Sequence, residues 1–322
     1  MNISIVMATH NGRVHLEKQL QSLLSQTYLP QEIVISDDGS TDGTRELLSQ
    51  YALEYQSIRV LYSESQGINN NFQNGVSACR GDYIAFCDQD DVWEKDKLAH
   101  LVEAFTANTL LAYGKSVLID ADDIPLADSA KEHLGFSSYR QGHLPFYFYF
   151  SNCISGHAMM VKQSLMETAL PFPQECLYDQ WLAVIASTKS EIVHVPKAIT
   201  FHRIHKLNTI NNPQRNREQK SKRKKTLKYE KFSKQRNKHL LLLQEGLMRG
   251  NALDQSERNI LSEIYQQISK LDKQFFNIKL FLLLYQYRCQ LFHGSLLREC
   301  RNRSLGGRYF SFLDNLTLRK AG

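Results

Sequence analysis

The sequence lacks any apolar run long enough to cross a membrane as a helix. Such a helix needs about 18 or more apolar residues in succession, and the apolar stretches of these 322 residues are broken earlier by charged or amide side chains. No basic leader precedes a long apolar stretch, and residues 1–8 are typical of a first β-strand, not of a signal peptide. We therefore expect a cytoplasmic protein that contacts membranes only peripherally, at the inner face of the cell membrane.

Cysteine pairs are also missing. The six cysteines form no C-x-x-C pair and show no spacing typical of metal ligands, and several of them lie within apolar runs. The pattern gives no indication of a cysteine metal centre. It favours reduced thiols in a cytosolic protein.

Excess positive charge is confined to one part of the chain. The net charge is +6, yet residues 213–240 contain twelve Lys/Arg and two Asp/Glu, a local balance of +10 that leaves −4 for the rest. With 42% hydrophobic and 22% charged residues, the composition is that of a globular protein with a sizeable core. We predict a mildly acidic domain at residues 1–210 and a basic, helical region at residues 211–322.

The order of the apolar runs predicts an α/β fold. Helical patterns are present at residues 44–55, 94–105 and 178–187, among others. Short buried strands are predicted at residues 3–8, 32–36, 58–61, 83–87, 111–119, 192–196 and 198–201. Alternating strands and helices indicate a mostly parallel sheet that is covered by helices on both faces.

Three carboxylates are crowded at the end of the fourth predicted strand. Asp88, Asp90 and Asp91 lie within four positions in the stretch FCDQDDVW, residues 86–93. Because like charges repel, such crowding is tolerated most easily on a solvated turn or around a cation, and Mg²⁺ takes oxygen ligands of this kind. The pattern favours a metal site, but a turn in which Asp90 or Asp91 caps the next helix is an alternative.

A second acidic turn, DDGSTDG at residues 37–43, follows another predicted strand. Asp37 or Asp38 could accept hydrogen bonds from a nucleobase or from ribose hydroxyls, or the turn could be an Asx turn that caps a helix. Parallel strands bring both acidic turns to the same edge of the sheet. Open α/β sheets bind their ligands at that edge.

Two later motifs are ambiguous when each is taken alone. Asp179, in the stretch LYDQW, is typical of an ordinary helix cap. His202, Arg203 and His205 follow a predicted strand. Two histidines three positions apart can bind a metal, but surface or core histidines are more common.

In their order and spacing, these motifs together resemble the family 2 glycosyltransferases, which have the GT-A fold. The likeness is strongest to the bacterial rhamnosyltransferase-like branch, in which a D-Q-D-D-x-W motif is common, and it covers about residues 1–208. The matching stretches are residues 3–11, DDGSTD at 37–42, DQDDVW at 88–93, YDQW at 178–181 and RIH at 203–205.

The resemblance implies a binding site for a nucleotide-sugar donor, either dTDP-rhamnose or a UDP-hexose. Asp37 and Asp38 would hold the nucleoside, with help from Thr9 and Asn11. Asp88 would contact the ribose or a metal ion.

The resemblance also implies a divalent metal ion, Mg²⁺ or Mn²⁺. Asp90 would be its main ligand, supported by Asp91, with Asp88 and His205 beside it. His205 matches the histidine of an R-x-H-x-x-N pattern, whose arginine would be Arg203, in the donor site, and whose asparagine would be Asn208.

Asp179 matches the position of the family's general base, which takes the proton of an acceptor hydroxyl as that oxygen attacks the anomeric carbon. A single displacement of this kind inverts the anomeric configuration. The sequence departs from the family pattern at Tyr178, where an acid or a histidine is usual, and at His202, where a tyrosine is common.

The basic C-terminal region has three interpretations. Its charge, followed by helices rich in Phe, Leu and Tyr such as residues 275–292, suits an anionic membrane surface. A solvated helix over ordinary core packing is the second interpretation. Nucleic-acid binding is the third, but no aromatic ladder or recognised binding motif accompanies the charge. We favour the membrane surface, which fits a lipid-linked glycan acceptor, and expect no nucleic-acid partner.

The sequence thus predicts an inverting, metal-dependent glycosyltransferase that builds a bacterial surface polysaccharide. A catalytically silent nucleotide-sugar binder, or a scaffold in a membrane glycan complex, is the alternative from another class. A sugar-phosphate nucleotidyltransferase has a similar nucleotide-binding sheet, but it would need a glycine-rich phosphate loop after the first strand. MATHNG at residues 7–12 does not supply that loop.

Overall fold

The computed structural model describes residues 1–63, 67–127, 138–205, 228–292 and 296–319. The described chain divides into two compact units. The first comprises Met1–His143, Cys153–Ala186 and Ser190–Asn212; the second comprises Leu144–Asn152, Ser187–Lys189 and Pro213–Gly322. The predicted domain boundary at residues 210 and 211 and the basic residues 213–227 lie outside the described residues, so the predicted division stays a prediction.

The first unit is built on one mixed sheet, in the order β3-β2-β1-β4-β8-β6-β9-β5, with β7 paired to β6. The strands β3, β2, β1 and β4 are mutually parallel, and β8 joins β4 in the antiparallel direction. The strands are β1 Ile3–Thr9, β2 Glu32–Asp38, β3 Ile58–Ser63, β4 Tyr83–Asp88, β5 Val92–Trp93, β6 Thr109–Ile119, β7 Pro125–Ala127, β8 Met159–Lys162 and β9 Glu191–Arg203. The predicted α/β architecture is confirmed.

Helices cover both faces of this sheet because its central strands are apolar on both sides. Residues such as Ile5 and Met7 pack with Leu20 and neighbouring leucines in a core that includes helices α1, α2 and α4. On the other face, Phe72 of α3 lies against Phe86, with 5.5 Å between the ring centroids. The helices of this unit are α1 Arg13–Leu24, α2 Thr44–Glu54, α3 Ile68–Ala78, α4 Lys97–Glu103, α5 Met166–Ala169 and α6 Tyr178–Ser187.

Two predicted boundaries differ from the structure. The helix expected at residues 94–105 is α4, Lys97–Glu103, because residues 92 and 93 form the short strand β5 against β9 and bury the Trp93 side chain. The two strands expected at residues 192–196 and 198–201 are one strand, β9. Its exposed residues Pro196–Ala198 fall where the pairing with β6 shifts register, so the apolar pattern is interrupted without ending the strand.

The second unit is helical, and it buries an aromatic cluster. The guanidinium of Arg303 lies 5.3 Å from the ring centroids of Phe150 and of Phe292, and it donates a hydrogen bond to the Phe150 carbonyl oxygen. Among the described residues, no helix is both long and apolar enough to span a membrane. The helices are α7 Lys228–Arg249, α8 Gln255–Ser269, α9 Ile278–Gln286, α10 Arg288–Leu291, α11 Leu296–Ser304 and α12 Gly307–Arg319.

Glu32 joins the amino-terminal ends of the parallel strands. Its Oε1 accepts hydrogen bonds from the Ser4 hydroxyl at 2.7 Å and from the Arg80 backbone N–H at 2.6 Å. Its Oε2 accepts one from the Arg59 guanidinium at 2.8 Å. Burial by itself raises the pKa of Glu32, but these hydrogen bonds and the arginine charge outweigh burial and hold the pKa below its usual 4.5.

We expect Glu32→Gln to lower the free energy of unfolding by about 1–3 kcal/mol at pH 7, because charged hydrogen bonds are lost at a buried site. A carboxylate whose folded pKa is lowered stabilises above its unfolded pKa, and the effect is lost as pH falls through the folded pKa. The difference between wild type and variant should therefore shrink below about pH 4.5, as measured by urea titration. Glu191→Gln, on an exposed residue, serves as the control. A difference that stays constant from pH 7 to 3 would contradict this role.

Candidate functional site

The carboxyl ends of β1, β2 and β4 meet at one edge of the sheet. In the parallel register, Thr9 of β1 is opposite Asp37 of β2, and Ala8 of β1 is opposite Asp88 of β4. The two acidic turns therefore flank the end of β1 on either side, as the sequence predicts. This edge is where ligands bind in open α/β sheets.

Asp37 is fully buried and stabilises the loop that follows β2 through hydrogen bonds. It accepts hydrogen bonds from the Thr9 hydroxyl at 2.9 Å, from the Ser40 N–H at 3.1 Å and from the Arg45 Nε–H at 2.6 Å. Burial raises the pKa of Asp37, but these donors together outweigh it and lower the pKa. Asp38 is only partly buried, and its Oδ2 accepts from the Gly67 N–H at 2.9 Å. Of the two, Asp38 is the carboxylate at the surface of the edge.

The loop after β1 is tied to both neighbouring loops. Asn11, which has a φ of 50°, accepts a hydrogen bond from the Thr41 N–H at 2.9 Å. The Gln89 amide accepts from the His10 N–H at 2.9 Å and donates to the His10 carbonyl at 3.1 Å. A Cβ at Gly12 would lie 2.2 Å from Gln89 Oε1, so glycine is required there for Gln89 to keep this position. Gln89 is part of the D-Q-D-D-x-W motif, but the sequence analysis assigns it no role.

The acidic cluster brings two predicted metal ligands into contact. His205 Nε2 lies 2.8 Å from Asp90 Oδ2. The side chain of Asp88 is 33% exposed and lies beside His157, with 3.5 Å between the His157 Nδ1 and an Asp88 carboxylate oxygen. Burial raises the pKa of Asp90, the charges of Asp91 and Asp88 raise it further, and the His205 contact opposes them only in part. An added cation would favour the ionised form of this carboxylate.

Asp91 is fully buried in a cluster with two histidines. His202 Nδ1 lies 2.9 Å from Asp91 Oδ1, and the Arg203 N–H donates to the same oxygen at 3.1 Å. His157 Nδ1 lies 3.5 Å from Asp91 Oδ2, and the His157 and His202 rings stack with their centroids 4.5 Å apart. Asp91 therefore does not cap α4, which follows Asp96. Ligand atoms of Asp91, His157 and His202 all lie within 4.8 Å of one another, so these residues form a second set that could hold a metal ion.

The Asp91 carboxylate determines the direction in which the pKa of the buried His202 is shifted. Burial alone lowers the pKa of His202, but the charge and hydrogen bond of Asp91 outweigh it and raise the pKa to about 9. Conversely, His202 and His157 overcome the burial of Asp91 and lower its pKa. At neutral pH the cluster thus holds a buried carboxylate–imidazolium pair.

Arg203 is fully buried, and its guanidinium binds protein oxygens. Nε donates to the Asp90 carbonyl at 2.9 Å, and Nη1 donates to the carbonyls of Asp120 and Ala121 at 3.1 and 3.2 Å. Nη2 forms an ion pair with Asp123 at 2.6 Å. Arg203 was predicted to bind the nucleotide sugar, and that role stays a prediction. Its contacts favour positioning the Asp90 backbone.

Asp179 lies in the first turn of α6 and is partly buried. The start of this helix is fixed by Asn69 of α3. Asn69 Nδ2 donates to the carbonyls of Pro173 and Cys176 at 2.6 and 2.7 Å, and its Oδ1 accepts from the Tyr178 N–H at 3.1 Å. Asn69 was not foreseen from the sequence, because its partners are more than 100 positions away.

Tyr178 connects α6 to strand β4. Its ring stacks on Phe86 with 5.2 Å between centroids, and it packs on Phe72 at 4.3 Å. A Cβ at Gly156 would lie 1.9 Å from the Tyr178 oxygen, so only glycine leaves room for this phenol. Burial raises the pKa of Tyr178 well above its usual value, and the Asp88 and Asp179 charges add to the effect. The residue that departs from the family pattern is therefore a neutral packing group between the two acidic positions.

Lys97 is a buried amine close to the acidic cluster. Its Nζ donates to the His157 carbonyl at 2.5 Å and to the Thr200 hydroxyl at 3.0 Å, and it lies 3.4 Å from the centroid of the Trp93 ring. Burial lowers the pKa of Lys97 to about 7, although the nearby thiol and carboxylates oppose this shift. Lys97 was missed because the sequence around it follows an ordinary amphipathic helical pattern.

The donor set at the edge fits a hard divalent cation. The carboxylate oxygens of Asp88 and Asp90 are ligands that suit Mg²⁺ and Mn²⁺, whereas the imidazole of His205 is a softer ligand. Burial and the neighbouring carboxylates raise the pKa of Asp90, and a cation would offset both effects. The residues that meet here come from β4, β9 and the turns after them. Asn208, which completes the predicted R-x-H-x-x-N pattern, lies outside the described residues.

Curated relatives and a solved structure are similar to this chain. A dTDP-rhamnosyl transferase, RfbG of Shigella flexneri, is 29% identical over 222 residues, which are 63% of this chain and 73% of that protein. An uncharacterized glycosyltransferase of Nostoc sp. is 35% identical over 127 residues, 38% of this chain but only 39% of that protein.

The crystal structure of residues 1–349 of S. aureus TarS in complex with UDP matches with a TM-score of 0.56 at 15% identity, covering 100% of this chain and 92% of that one. This likeness shows the fold, and the predicted GT-A α/β fold is confirmed. Residues 4–168, just over half of the 322, match the sequence model of Glycosyl transferase family 2. The chain belongs to glycosyl transferase family 2.

Proposed function

We propose that the protein is an inverting glycosyltransferase that moves a sugar from a nucleoside-diphosphate donor to a hydroxyl of a glycan acceptor. One observation carries the proposal: the parallel strands β1, β2 and β4 bring Asp38, Asp88 and Asp90 to one edge, and β9 adds His205 against Asp90. Membership of family 2 supports the reaction class.

The nucleoside would lie over the loops after β1 and β2. Thr9, Asn11 and Asp37 shape these loops through their mutual hydrogen bonds, and the partly buried Asp38 offers a carboxylate to nucleobase or ribose donors. A dTDP-rhamnose donor is favoured by the name of the Shigella flexneri relative, and a UDP-sugar by the UDP complex of TarS. A screen with both kinds of donor distinguishes them.

Asp88, Asp90 and His205 would hold Mg²⁺ or Mn²⁺. When bound, such an ion offsets the negative charge that develops on the departing nucleoside diphosphate. Asp91 would support this set from inside the protein, since it directly follows Asp90 in the chain and its own carboxylate is paired with His202. The Arg203 guanidinium would keep the Asp90 main chain in place.

Asp179 would be the general base. Its carboxylate would accept the proton of the acceptor hydroxyl while that oxygen forms the new bond to the anomeric carbon. The bond from that carbon to the diphosphate oxygen breaks with its electron pair going to the nucleoside diphosphate, and the configuration inverts. Asn69 and Tyr178 fix the turn that carries Asp179.

We infer that residues 1–210 form the catalytic domain and that residues 211–322 form a separate helical region. The acceptor would be a lipid-linked glycan in the synthesis of a bacterial surface polysaccharide, as the resemblance of the motifs implies. The enzyme would then act in the cytoplasm, at the inner face of the cell membrane.

A donor screen tests the reaction class. Release of nucleoside diphosphate is measured with dTDP-rhamnose and with UDP-sugars in the presence of Mg²⁺ or Mn²⁺. We expect release with one donor, and Asp90→Ala should reduce it at least about 100-fold because a charge-stabilising group is lost. Asp82→Ala, an exposed acid just before β4 and thus at the other end of that strand, is the matched control. If no donor is turned over although nucleoside diphosphate binds, the protein is a silent nucleotide-sugar binder.

A second variant tests the base. Asp179→Asn should lower kcat by about 10²–10⁴-fold, the usual contribution of a general base, with donor affinity unchanged. Glu175→Gln, an exposed acid just before α6, controls for loss of charge near the helix. Transfer rates that survive Asp179→Asn would assign the proton transfer to another group.

A further inference from the structure

Helix α9 lacks a polar face. Seven of its nine residues, IKLFLLLYQ, are apolar. Leu280 and Leu284 are fully buried in the second unit, and Asn277 caps the helix by accepting the Leu280 N–H at 2.8 Å. On the other side, Ile278 and Leu282 are 61% and 58% exposed. A helix that is apolar all round is typical of a buried or membrane-contacting position, so the outer face of α9 requires a partner.

The exposed face continues into a larger surface on the same unit. Phe275 lies beside Phe312 of α12, with ring centroids 6.2 Å apart, and Phe276 and Tyr285 each pack on Phe281. We call the exposed members the apolar ridge: Phe275, Phe276, Ile278, Leu282, Tyr285 and Phe312. A contiguous exposed patch of this kind marks an interaction site more often than isolated apolar residues do.

A basic rim surrounds the apolar ridge. Residues 270–319 contain nine Lys/Arg and three Asp/Glu, a balance of +6. Lys273, Lys279 and Arg308 are exposed, and the Arg288 guanidinium lies 4.2 Å from the centroid of the Tyr285 ring.

The acidic residues of this segment form ion pairs or hydrogen bonds with other residues of the second unit. Asp272 pairs with Arg236 at 3.1 Å and Glu299 with Arg303 at 3.5 Å. Asp314 accepts hydrogen bonds from backbone N–H groups at the start of α7. Lys279 is compensated by Glu263 of α8, at 2.8 Å. The other positive charges of the rim lie beside the apolar ridge and are not neutralised by the acidic residues of this segment.

We propose that the apolar ridge docks the protein on an anionic lipid surface. Aromatic and aliphatic side chains would enter the headgroup boundary while the rim pairs with lipid phosphates, which is how interfacial helices bind membranes. A second copy of the chain is a poorer occupant, because it would bring two basic rims together. The inference rests on contacts within the C-terminal unit alone and goes beyond the proposed transfer reaction.

Vesicle flotation of the full chain tests the proposal. We expect binding to vesicles of phosphatidylcholine with phosphatidylglycerol at low salt, weaker binding at high salt, and little binding to phosphatidylcholine alone. The triple variant Phe275→Ser, Ile278→Ser and Leu282→Ser should bind at least about tenfold more weakly, because its buried apolar area is lost. Lys273→Glu with Arg308→Glu should weaken binding to anionic vesicles by a similar factor.

A matched control removes equally exposed apolar residues elsewhere. Val14→Ser, Leu29→Ser and Leu53→Ser change side chains that are 76%, 70% and 90% exposed in the first unit, and vesicle binding should be unchanged. Absence of wild-type binding, or equal binding by the ridge triple variant, would overturn the proposal. So would a wild-type dimer in light scattering that the triple variant converts to monomer, since the ridge would then be a protein interface.

An inserted fluorophore reports contact directly. Both native tryptophans, Trp93 and Trp181, are buried in the first unit, at 3% and 1% exposure. Leu282→Trp should therefore show a blue-shifted emission on anionic vesicles and quenching by brominated lipid chains. Emission that does not change on vesicles that co-float with the protein would place the contact elsewhere on the chain.

Discussion

Crowded negative charge at the edge of the sheet is the constraint that the rest of the first unit satisfies. Asp37 meets Arg45, Asp91 meets His202, and Asp90 meets His205. The buried amine of Lys97 lies nearby and donates to the backbone carbonyl of residue 157. Removing one partner from a buried pair leaves an uncompensated charge, which costs about 3–5 kcal/mol. The buried carboxylates of the site are therefore paired, and Asp88 and Asp90 are the partly exposed ones of the acidic cluster, with side-chain exposures of 33% and 16%.

The mixed sheet brings these charges together. Strands β2 and β4 lead into the acidic turns, and the antiparallel β8 joins β4, through β6, to β9, which carries His202 and Arg203. His202 and Arg203 thus reach Asp91 across more than 100 positions of sequence. A proposed metal ion and a diphosphate would complete a charge balance that the protein has only partly established. The Tyr178 ring stacks on Phe86 and so connects the turn that carries Asp179 to strand β4.

Sequence reasoning identified strands β1–β4, β6 and β9, both acidic turns and the α6 turn, because each is a local pattern of apolar runs, carboxylates and glycines. It did not find the short strands β5, β7 and β8. It gave no role to His157, Gln89 and Lys97, since their roles depend on partners brought near only by the fold. The start of α4 was wrong because Trp93 pairs with β9, and a tertiary contact of that kind overrides a helical pattern. Asp91 was expected to cap a helix or to support the metal ligands. In the structure it is buried beside two histidines, His157 and His202, and pairs with them.

Hydrogen–deuterium exchange with nucleoside diphosphate and Mn²⁺ tests most directly whether this edge is the donor site. The loops after β1, β2 and β4 are hydrogen-bonded to one another through Asn11 and Gln89, so a ligand across them should slow exchange in all three together. We predict protection at residues 10–13, 39–43 and 89–91, and its loss when Mn²⁺ is omitted. Protection confined to another part of the chain, or no protection at saturating ligand, would contradict the assignment of the site.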